Sequence, residues 1–360
     1  MILLKIAIVG AGLSGLSCAH ELKRHGIIPV IYEKGSRIGG KLDFPALVLR
    51  MYITPYNDPF VFLKEKYNIN IKPYSRIKEM TIISENKVLD VKYDFGFLLA
   101  RPPFYNAIDF QIAKEADLSV TFNMLADIRE LMREFDFVVD ASADMSHPRG
   151  FGTVSETFHG QTRIANIRGS FKTDSVTFWM NTEYAKQGFA YMVPVSRSDA
   201  RLVLIVDNIS PIALDYYWNK FLETESIKYH ITETRDVEHV VGSVDPIRYE
   251  NLYFTGNIAG MVDSFMGFGS MRAIISGVSA ARSIVYGQDY NELMAPIVKD
   301  LWKKYEFRKA FNLFTNSSFD RLLTFAGLPL VKQCIFQNPF YKMTMATPLV
   351  RLYNKVKYRM

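Results

Sequence analysis

The chain opens on a short apolar run, an amphipathic stretch and a second apolar run. Residues 5–10, KIAIVG, end at a glycine, which is typical of a buried parallel strand. From Leu13 to Arg24 apolar residues recur at helical spacing, and His25-Gly26 predicts the end of that helix. The next run, IIPVIYE, predicts another strand. The pattern therefore predicts a strand–helix–strand unit whose crossover makes the two strands parallel.

The remaining chain alternates between β-type and helical patterns. Strands are predicted for the hairpin RIKEMTIISENKVLDVKYD, for LSVTFN, FDFVVDASAD and NLYFTG, and for several short runs between about 158 and 208. Helices are predicted for RPPFYNAIDFQIAKEA, with its prolines in the first turn, and for NMLADIRELMREFD, PIALDYYWNKFLETE and SMRAIISGVSAARSIVYG. Everything after about Tyr290 has a helical pattern.

This order of elements predicts an α/β fold. A Rossmann-like βαβ domain with a parallel sheet is interleaved with an antiparallel β-sheet that forms the substrate domain, and a helical C-terminal region follows. The predicted dinucleotide-binding domain comprises residues 1–75, 95–157 and 244–290, the substrate domain comprises 76–94 and 158–243, and the helical region comprises 291–360.

The composition and the N-terminal sequence bear on whether the protein is membrane-spanning, secreted or cytoplasmic. Of the 360 residues 49% are hydrophobic, yet no run approaches the roughly 20 apolar residues that a membrane span needs. The N-terminal apolar run leads directly into Gly10-Ala11-Gly12, so no signal-peptide cleavage site is predicted. Two cysteines give no disulfide framework. These features predict a cytoplasmic protein.

The formal net charge is +6, and the last sixty residues are richer in Lys and Arg than the rest. FYKMTMATPLVRLYNKVKYRM alternates cations with aromatic and aliphatic residues. One interpretation is a solvated helical tail packed on the body, and the other is a surface that rests on anionic lipid headgroups and makes the protein peripheral to the membrane. No motif favours a nucleic-acid partner. The six histidines show no metal-ligand spacing, and no Ser-His-Asp or Cys-His arrangement indicates a hydrolase.

The turn after the first predicted strand contains G-x-G-x-x-G, formed by Gly10, Gly12 and Gly15. Gly10 permits a tight turn, Gly12 lets backbone N–H groups approach a pyrophosphate, and Gly15 lets the helix pack on the strand. Glu33 ends the second strand eighteen residues after Gly15. Its carboxylate can accept both hydroxyls of an adenosine ribose and would repel a 2′-phosphate. The segment predicts a dinucleotide site.

Two further motifs resemble those of a known superfamily. Arg37-Ile38-Gly39-Gly40 makes R-x-G-G, and with it the chain resembles flavoproteins of the glutathione-reductase type. NLYFTGNIAGMVDSFMGFGS resembles their later segment, in which a Gly-Asp pair contacts the ribityl chain and a helix N-terminus points at the flavin. Asn257 stands where the aspartate is expected, and its amide can still bond a ribityl hydroxyl. The resemblance implies FAD.

The motifs and the resemblance together mark the cofactor-binding positions. FGFLLARPPF resembles the superfamily's helix that begins at an arginine near the phosphates. The positions are Gly10, Ala11, Gly12, Leu13, Ser14, Gly15, Glu33, Lys34, Arg37, Gly39, Gly40, Lys41, Arg101, Gly256, Asn257, Gly267, Gly269, Ser270 and Met271.

AGMVDSFMGFGSMRAIISGVSAA is similar to the geranylgeranyl reductase group, although Ser264 replaces a proline of that group. GFAYMVPV resembles the group's aromatic strand, which implies that Phe189, Tyr191 and Pro194 form the floor of a substrate site beside the flavin. The group's cysteine-containing loop has no counterpart, because Cys18 lies in the first helix and Cys334 in the tail.

This resemblance implies hydride transfer from flavin N5 to a carbon–carbon double bond of an isoprenoid lipid, with a proton supplied by an acid. Asp263 and Tyr191 are the candidate acids; a loop cap and core packing are the structural alternatives for them. Since there is one nucleotide fingerprint, the electron donor is expected to be a transiently bound NAD(P)H or a ferredoxin-like protein.

Two other functions stay open. VVDASADMS resembles the p-hydroxybenzoate hydroxylase branch, which implies an FAD-dependent monooxygenase that acts through a flavin hydroperoxide. The third possibility is a flavin-binding protein that has no turnover. Asn257 agrees with it, and so does the segment between Phe122 and Asp136, which is too short for the β-meander that the resemblance implies there.

Overall fold

The computed structural model describes residues 4–40, 45–52 and 58–358. In these ranges the strands are β1 (Ile6–Val9), β2 (Val30–Tyr32), β3 (Ala46–Leu49), β4 (Ser75–Ser84), β5 (Val88–Leu99), β6 (Phe137–Asp140), β7 (Thr153–Arg168), β8 (Ser175–Met180), β9 (Phe189–Pro194), β10 (Asp199–Asp207), β11 (His230–Asp245), β12 (Arg248–Tyr249) and β13 (Leu252–Phe254). The helices are α1 (Leu13–Arg24), α2 (Pro59–Tyr67), α3 (Ile108–Glu115), α4 (Ile128–Glu134), α5 (Ser146–Arg149), α6 (Thr182–Ala185), α7 (Leu214–Thr224), α8 (Ser270–Tyr286), α9 (Tyr290–Phe311), α10 (Asn316–Gly327), α11 (Pro329–Phe336) and α12 (Thr347–Lys357).

A five-stranded sheet with the order β12-β13-β6-β1-β2 forms the Rossmann-like part. β1 pairs in parallel with β2 and β6, and β13 pairs in parallel with β6. All four residues of β1 are buried, because the strand lies in the middle of a sheet whose faces are both covered. The predicted α/β fold and its first strand–helix–strand unit are confirmed.

An eight-stranded sheet with the order β11-β7-β10-β9-β8-β4-β5-β3 forms the second part. Its neighbours pair antiparallel except β4 and β8, which are parallel. On one face α7 contributes Trp218 and Phe221 to an apolar cluster. On the other face α10 and α11 contribute Leu323 and Phe336 to a second cluster. β3 belongs to this sheet, although residues 1–75 were assigned to the dinucleotide-binding domain from the sequence. The division of the chain into domains stays a prediction.

Three predicted elements differ from the structure. LSVTFN is not a strand: Thr121 alone forms a bridge with Tyr32, and the positive φ of Asn123 ends the extended chain. Pro102 and Pro103 lie in turns that precede α3 rather than in its first turn. The helix predicted for NMLADIRELMREFD is shorter, since the Asp127 side chain accepts hydrogen bonds from the first turn and starts α4 at Ile128.

Helices α9–α12 follow the second sheet in the chain, and α12 packs on α9. Asn354 of α12 donates to the Glu306 backbone oxygen of α9 over 2.9 Å. Throughout residues 4–40, 45–52 and 58–358, no helix is both long and apolar enough to cross a bilayer.

Candidate functional site

The first glycine loop connects β1 to α1 at the carboxyl edge of the parallel sheet. A Cβ on Gly15 would collide with the Gly10 backbone oxygen, so this position requires a glycine. A Cβ on Gly12 would meet nothing within 4 Å. Gly12 starts α1 without a side-chain cap among the described residues, and the helix therefore presents first-turn N–H groups, from Leu13 and Ser14 onward, to that open space. This arrangement fits a pyrophosphate.

Glu33 follows β2 and bends back over the same loop. Its Oε2 accepts from the Ala11 N–H over 2.8 Å, and its Oε1 accepts from the Gly35 N–H over 2.8 Å. The carboxylate is half-buried, and the neighbouring Lys34 side chain is exposed. The placement of Glu33 beside the open space fits the ribose role predicted from the sequence.

The R-x-G-G turn reaches the first loop as well. The Gly39 N–H donates to the Ala11 backbone oxygen over 3.0 Å. Beneath it lies the buried pair of Arg101 and Asp109, with nitrogen–oxygen distances of 2.7 and 3.1 Å. Arg101 is thus held by Asp109 under the turn. Among the remaining predicted positions here, Arg37 and Gly40 lie in the same turn, and Lys41 lies outside the described residues.

The segment around Gly256 and the helix α8 that follows it lie against α1, although more than 240 residues separate them in the sequence. A Cβ on Gly277 of α8 would collide with the Ser14 backbone oxygen, so α8 crosses α1 at close range. The Gly256 N–H donates to the Ser276 hydroxyl over 2.9 Å, which holds the Gly256-Asn257 turn against the same crossing. Gly269 precedes α8, which begins with Ser270 and Met271. The two glycine segments therefore lie together, as the resemblance implies.

Asp263 organises the loop before α8. It is 1% exposed and accepts backbone N–H bonds from Phe265, Met266 and Phe268 over 3.1, 2.8 and 3.1 Å. The Tyr52 hydroxyl also donates to it. These contacts give Asp263 the role of a loop-ordering carboxylate, with both oxygens engaged by donors.

A charge network anchors this loop to α9, with Asp263 and Lys304 buried and Arg272 and Asp300 half-buried. Arg272 contacts Asp263 and Asp300 over 3.4 and 3.3 Å, and the Lys304 ammonium lies 2.7 Å from Asp300. The same ammonium lies 4.5 Å from the ring centre of Tyr52. Burial lowers the pKa of Lys304 to about 8 and raises that of Tyr52, with the negative charge of Asp263 acting in the same direction on Tyr52.

A cavity of about 10 Å³ lies between this loop and the second sheet, with room for about one water molecule. Its wall is mostly apolar, and its polar members are His239, Arg308 and the loop itself around Asp263 and Gly267. Apolar surroundings lower the pKa of His239 to about 4, against the opposing charge of Asp263, so the imidazole is neutral near pH 7. His239 is not among the residues predicted from the sequence, because the polar run that forms β11 does not show the pattern of a strand.

Tyr191 lies on β9 and faces the apolar cluster that includes Phe265 and Phe268 of the loop. Its ring centre lies 6.1 Å from that of Phe178 and 6.2 Å from that of Phe189. Burial raises the pKa of Tyr191, so its hydroxyl keeps its proton. Tyr191 and Asp263 thus border one apolar region, with Tyr191 on the sheet and Asp263 beneath the loop.

A polar pair at the end of β6 was also not predicted. The buried Asp140 carboxylate lies 2.7 Å from His147 Nδ1, and the Ser142 hydroxyl lies 3.3 Å from that same nitrogen. The hydrogen bond to Asp140 raises the pKa of His147. Since Ser142 shares one ring nitrogen with Asp140, the three do not form a nucleophilic triad. Asp140 belongs to the segment VVDASAD, and the backbone of the next residue, Ala141, lies beside Gly10 of the first glycine loop.

Comparison with known proteins gives a domain and a fold. Residues 8–46 match the NAD(P)-binding Rossmann-like domain. A 97-residue segment, 26% of this chain, is 32% identical to the FAD-binding monooxygenase acrE of Aspergillus aculeatus and spans 16% of that protein. This relative is thus matched over a small part of its length.

Solved structures match over nearly the whole chain at low identity. A geranylgeranyl bacteriochlorophyll reductase-like protein from Thermoplasma acidophilum superposes with a TM-score of 0.74 and 15% identity, covering 96% of this chain and 99% of that one. A triple mutant of the flavin-dependent brominase Bmp2 superposes with a TM-score of 0.70 and 13% identity, covering 99% and 100%. The fold is therefore one that flavin-dependent enzymes share.

Proposed function

We propose that this protein is an FAD-dependent oxidoreductase that reduces carbon–carbon double bonds of an isoprenoid lipid. The observation that carries the proposal is the apolar wall of the second sheet, which meets the loop of Asp263 where the resemblance expects the flavin. FAD is the cofactor that both the sequence motifs and the comparisons support. When bound and reduced by the electron donor, it would supply the hydride that the reaction needs.

The residues at the carboxyl edge of the parallel sheet fit the parts of FAD. The open space at Gly12 and the start of α1 would hold the pyrophosphate, and Glu33 would hold the adenosine ribose. Asn257, in the turn that lies against α1, would bond a ribityl hydroxyl.

The substrate side is apolar and aromatic. Phe178, Phe189 and Tyr191 stand on adjacent strands and share one cluster with Phe265 and Phe268 of the loop. Such a wall binds a hydrocarbon chain because water is excluded from both apolar surfaces. No charged group of the wall has to lose its hydration when the chain binds. Because the cavity is about 10 Å³, the loop has to move outward to admit the lipid.

Tyr191 is the proton donor in this proposal. Burial raises the pKa of its hydroxyl, which therefore keeps its proton, and Tyr191 belongs to the apolar wall on which the alkene would lie. The proton from Tyr191 adds to one alkene carbon while the hydride adds to the other, and solvent reprotonates the phenolate. Asp263 holds the loop. The electron donor is NAD(P)H or a ferredoxin-like protein.

Spectroscopy of the purified protein tests the proposal. We expect flavin absorption bands, and we expect the anaerobically reduced protein to be reoxidised by geranylgeranyl diphosphate or a polyprenyl lipid, with the saturated lipid as control. Tyr191→Phe should slow this reoxidation at least roughly tenfold without loss of flavin. A colourless protein that takes up no added FAD would contradict the cofactor and favour a protein without turnover.

A monooxygenase is the second candidate, because the curated relative with the matched segment carries that name. Reduced flavin that is reoxidised by oxygen alone, and never by the alkene, would favour this function over the reductase.

A further inference from the structure

The whole net charge of the protein lies in its last 48 residues. Residues 313–360 contain seven of the 43 Lys and Arg residues and one of the 37 Asp and Glu residues. The preceding 312 residues carry 36 of each and are formally neutral. The +6 charge is thus a property of one segment.

The same segment carries an excess of exposed apolar side chains. Of the 25 large hydrophobic side chains exposed on the described surface, 11 lie between Leu322 and Tyr358, in about a tenth of the chain. Leu330 and Phe340 are 77% and 74% exposed. A segment that combines an excess of cations with many exposed apolar side chains differs from an ordinary solvated segment.

Helix α12 presents its apolar side outward. Leu349, Leu352, Tyr353 and Val356 have the i, i+3, i+4, i+7 spacing of one helix face and are 72%, 61%, 36% and 50% exposed. Toward the body, Asn354 is buried and donates to the backbone and side-chain oxygens of Glu306 over 2.9 and 3.0 Å, and the Tyr353 ring lies at its edge, 6.3 Å from that of Phe314. An amphipathic helix of a globular protein usually buries its apolar face, whereas α12 exposes that face to solvent.

We propose that α12 rests with its exposed apolar face on an anionic lipid bilayer. Lys355 and Lys357 are exposed on the same helix and would lie near the phosphate groups, while Leu349, Leu352 and Val356 enter the acyl region. An acidic protein surface is the other partner that the charge would suit. The bilayer fits better, because it takes up the exposed apolar side chains of α12 as well as its cations, whereas an acidic protein surface would pair with the cations alone.

The test uses the full-length protein and flotation with two kinds of vesicle, one of phosphatidylcholine with about a quarter phosphatidylglycerol and one of phosphatidylcholine alone. We expect binding to the anionic vesicles that weakens as salt is raised. Leu349→Asn with Leu352→Asn should lower the partition coefficient roughly tenfold or more. Lys355→Gln with Lys357→Gln should lower it roughly tenfold at low salt.

Matched controls keep the result specific. Ile212→Asn removes a side chain that is 91% exposed outside this segment, and Lys66→Gln with Lys228→Gln removes two exposed charges elsewhere; these variants should bind as the wild type does. Circular dichroism confirms that each variant is folded. Failure of the folded wild type to float with anionic vesicles overturns the proposal. So does retention on an acidic protein column without vesicle binding, or unchanged binding of the Leu349/Leu352 variant. The outcome is independent of flavin and of turnover.

Discussion

At the scale of single residues, neighbouring glycines of one motif have different tasks. Gly12 borders open space and Gly15 contacts the Gly10 backbone. We predict that Gly12→Val costs about 1 kcal/mol of folding free energy but abolishes flavin retention, because its side chain fills the pyrophosphate position.

Gly15→Ala is the matching variant. Its methyl group would collide with the Gly10 backbone oxygen, and we expect a loss of about 3 kcal/mol in the free energy of unfolding. Urea denaturation and the absorbance of the purified proteins measure both effects. A yellow, stable Gly12→Val protein would contradict the placement of the cofactor.

His239 gives a pH dependence whose direction follows from its pKa. The folded pKa of about 4 lies below the ordinary value of 6.5, so the unfolded chain binds more protons between these values. Stability from the neutral ring is complete above about pH 7 and is lost as the pH falls toward 4. Relative to His239→Gln, the wild type should lose about 1–2 kcal/mol between pH 7.5 and pH 5. Parallel urea curves at both pH values would contradict this.

At the scale of elements, the loop between β13 and α8 depends on Asp263. Its carboxylate accepts from three backbone N–H groups and from Tyr52. Asp263→Asn replaces one acceptor oxygen by a donor, and we expect a loss of about 2 kcal/mol and faster hydrogen exchange at residues 265–268.

Asp289→Asn is the matched control for that change. Asp289 caps α9 by accepting from two N–H groups, and asparagine is an equally good N-cap. Its stability should stay within about 0.5 kcal/mol of the wild type. Equal effects of the two substitutions would show that the Asp263 loop has no special dependence on its carboxylate.

The elements also show what the sequence could predict. The β1–α1–β2 unit and α8 follow strong periodic patterns and were predicted closely, and the glycine segments were brought together as expected. β11 was not recognised, because its run ITETRDVEHV is polar on the exposed edge of a sheet and lacks a continuous apolar face. His239 was missed with it. Its proximity to the loop of Asp263 depends on the pairing of β11 with β7, which is long-range information.

At the scale of the whole molecule, a network of charged side chains joins helix α8 to helix α9. Lys304 of α9 is fully buried and contacts Asp300, which also contacts Arg272 of α8. Lys304→Met should cost about 2 kcal/mol, less than the about 3–5 kcal/mol of a fully broken buried pair, because Arg272 still neutralises Asp300.

Lys299→Met on the exposed side of α9 is the control for this substitution, and we expect its free energy of unfolding to stay close to that of the wild type. Chemical denaturation at pH 7 compares the two proteins. A Lys304→Met protein as stable as the Lys299→Met protein would show that the network contributes little to the joining of α8 and α9.

The strand order of the parallel sheet has a consequence for biosynthesis. β6 emerges from the ribosome with Phe137–Asp140, whereas its partner β13 follows only with Leu252–Phe254. For about a hundred residues of translation the nascent chain therefore carries an apolar strand with one unpaired edge. Such an edge is a template for pairing with other chains, so we expect fragments that stop before Leu252 to aggregate when they are translated without chaperones.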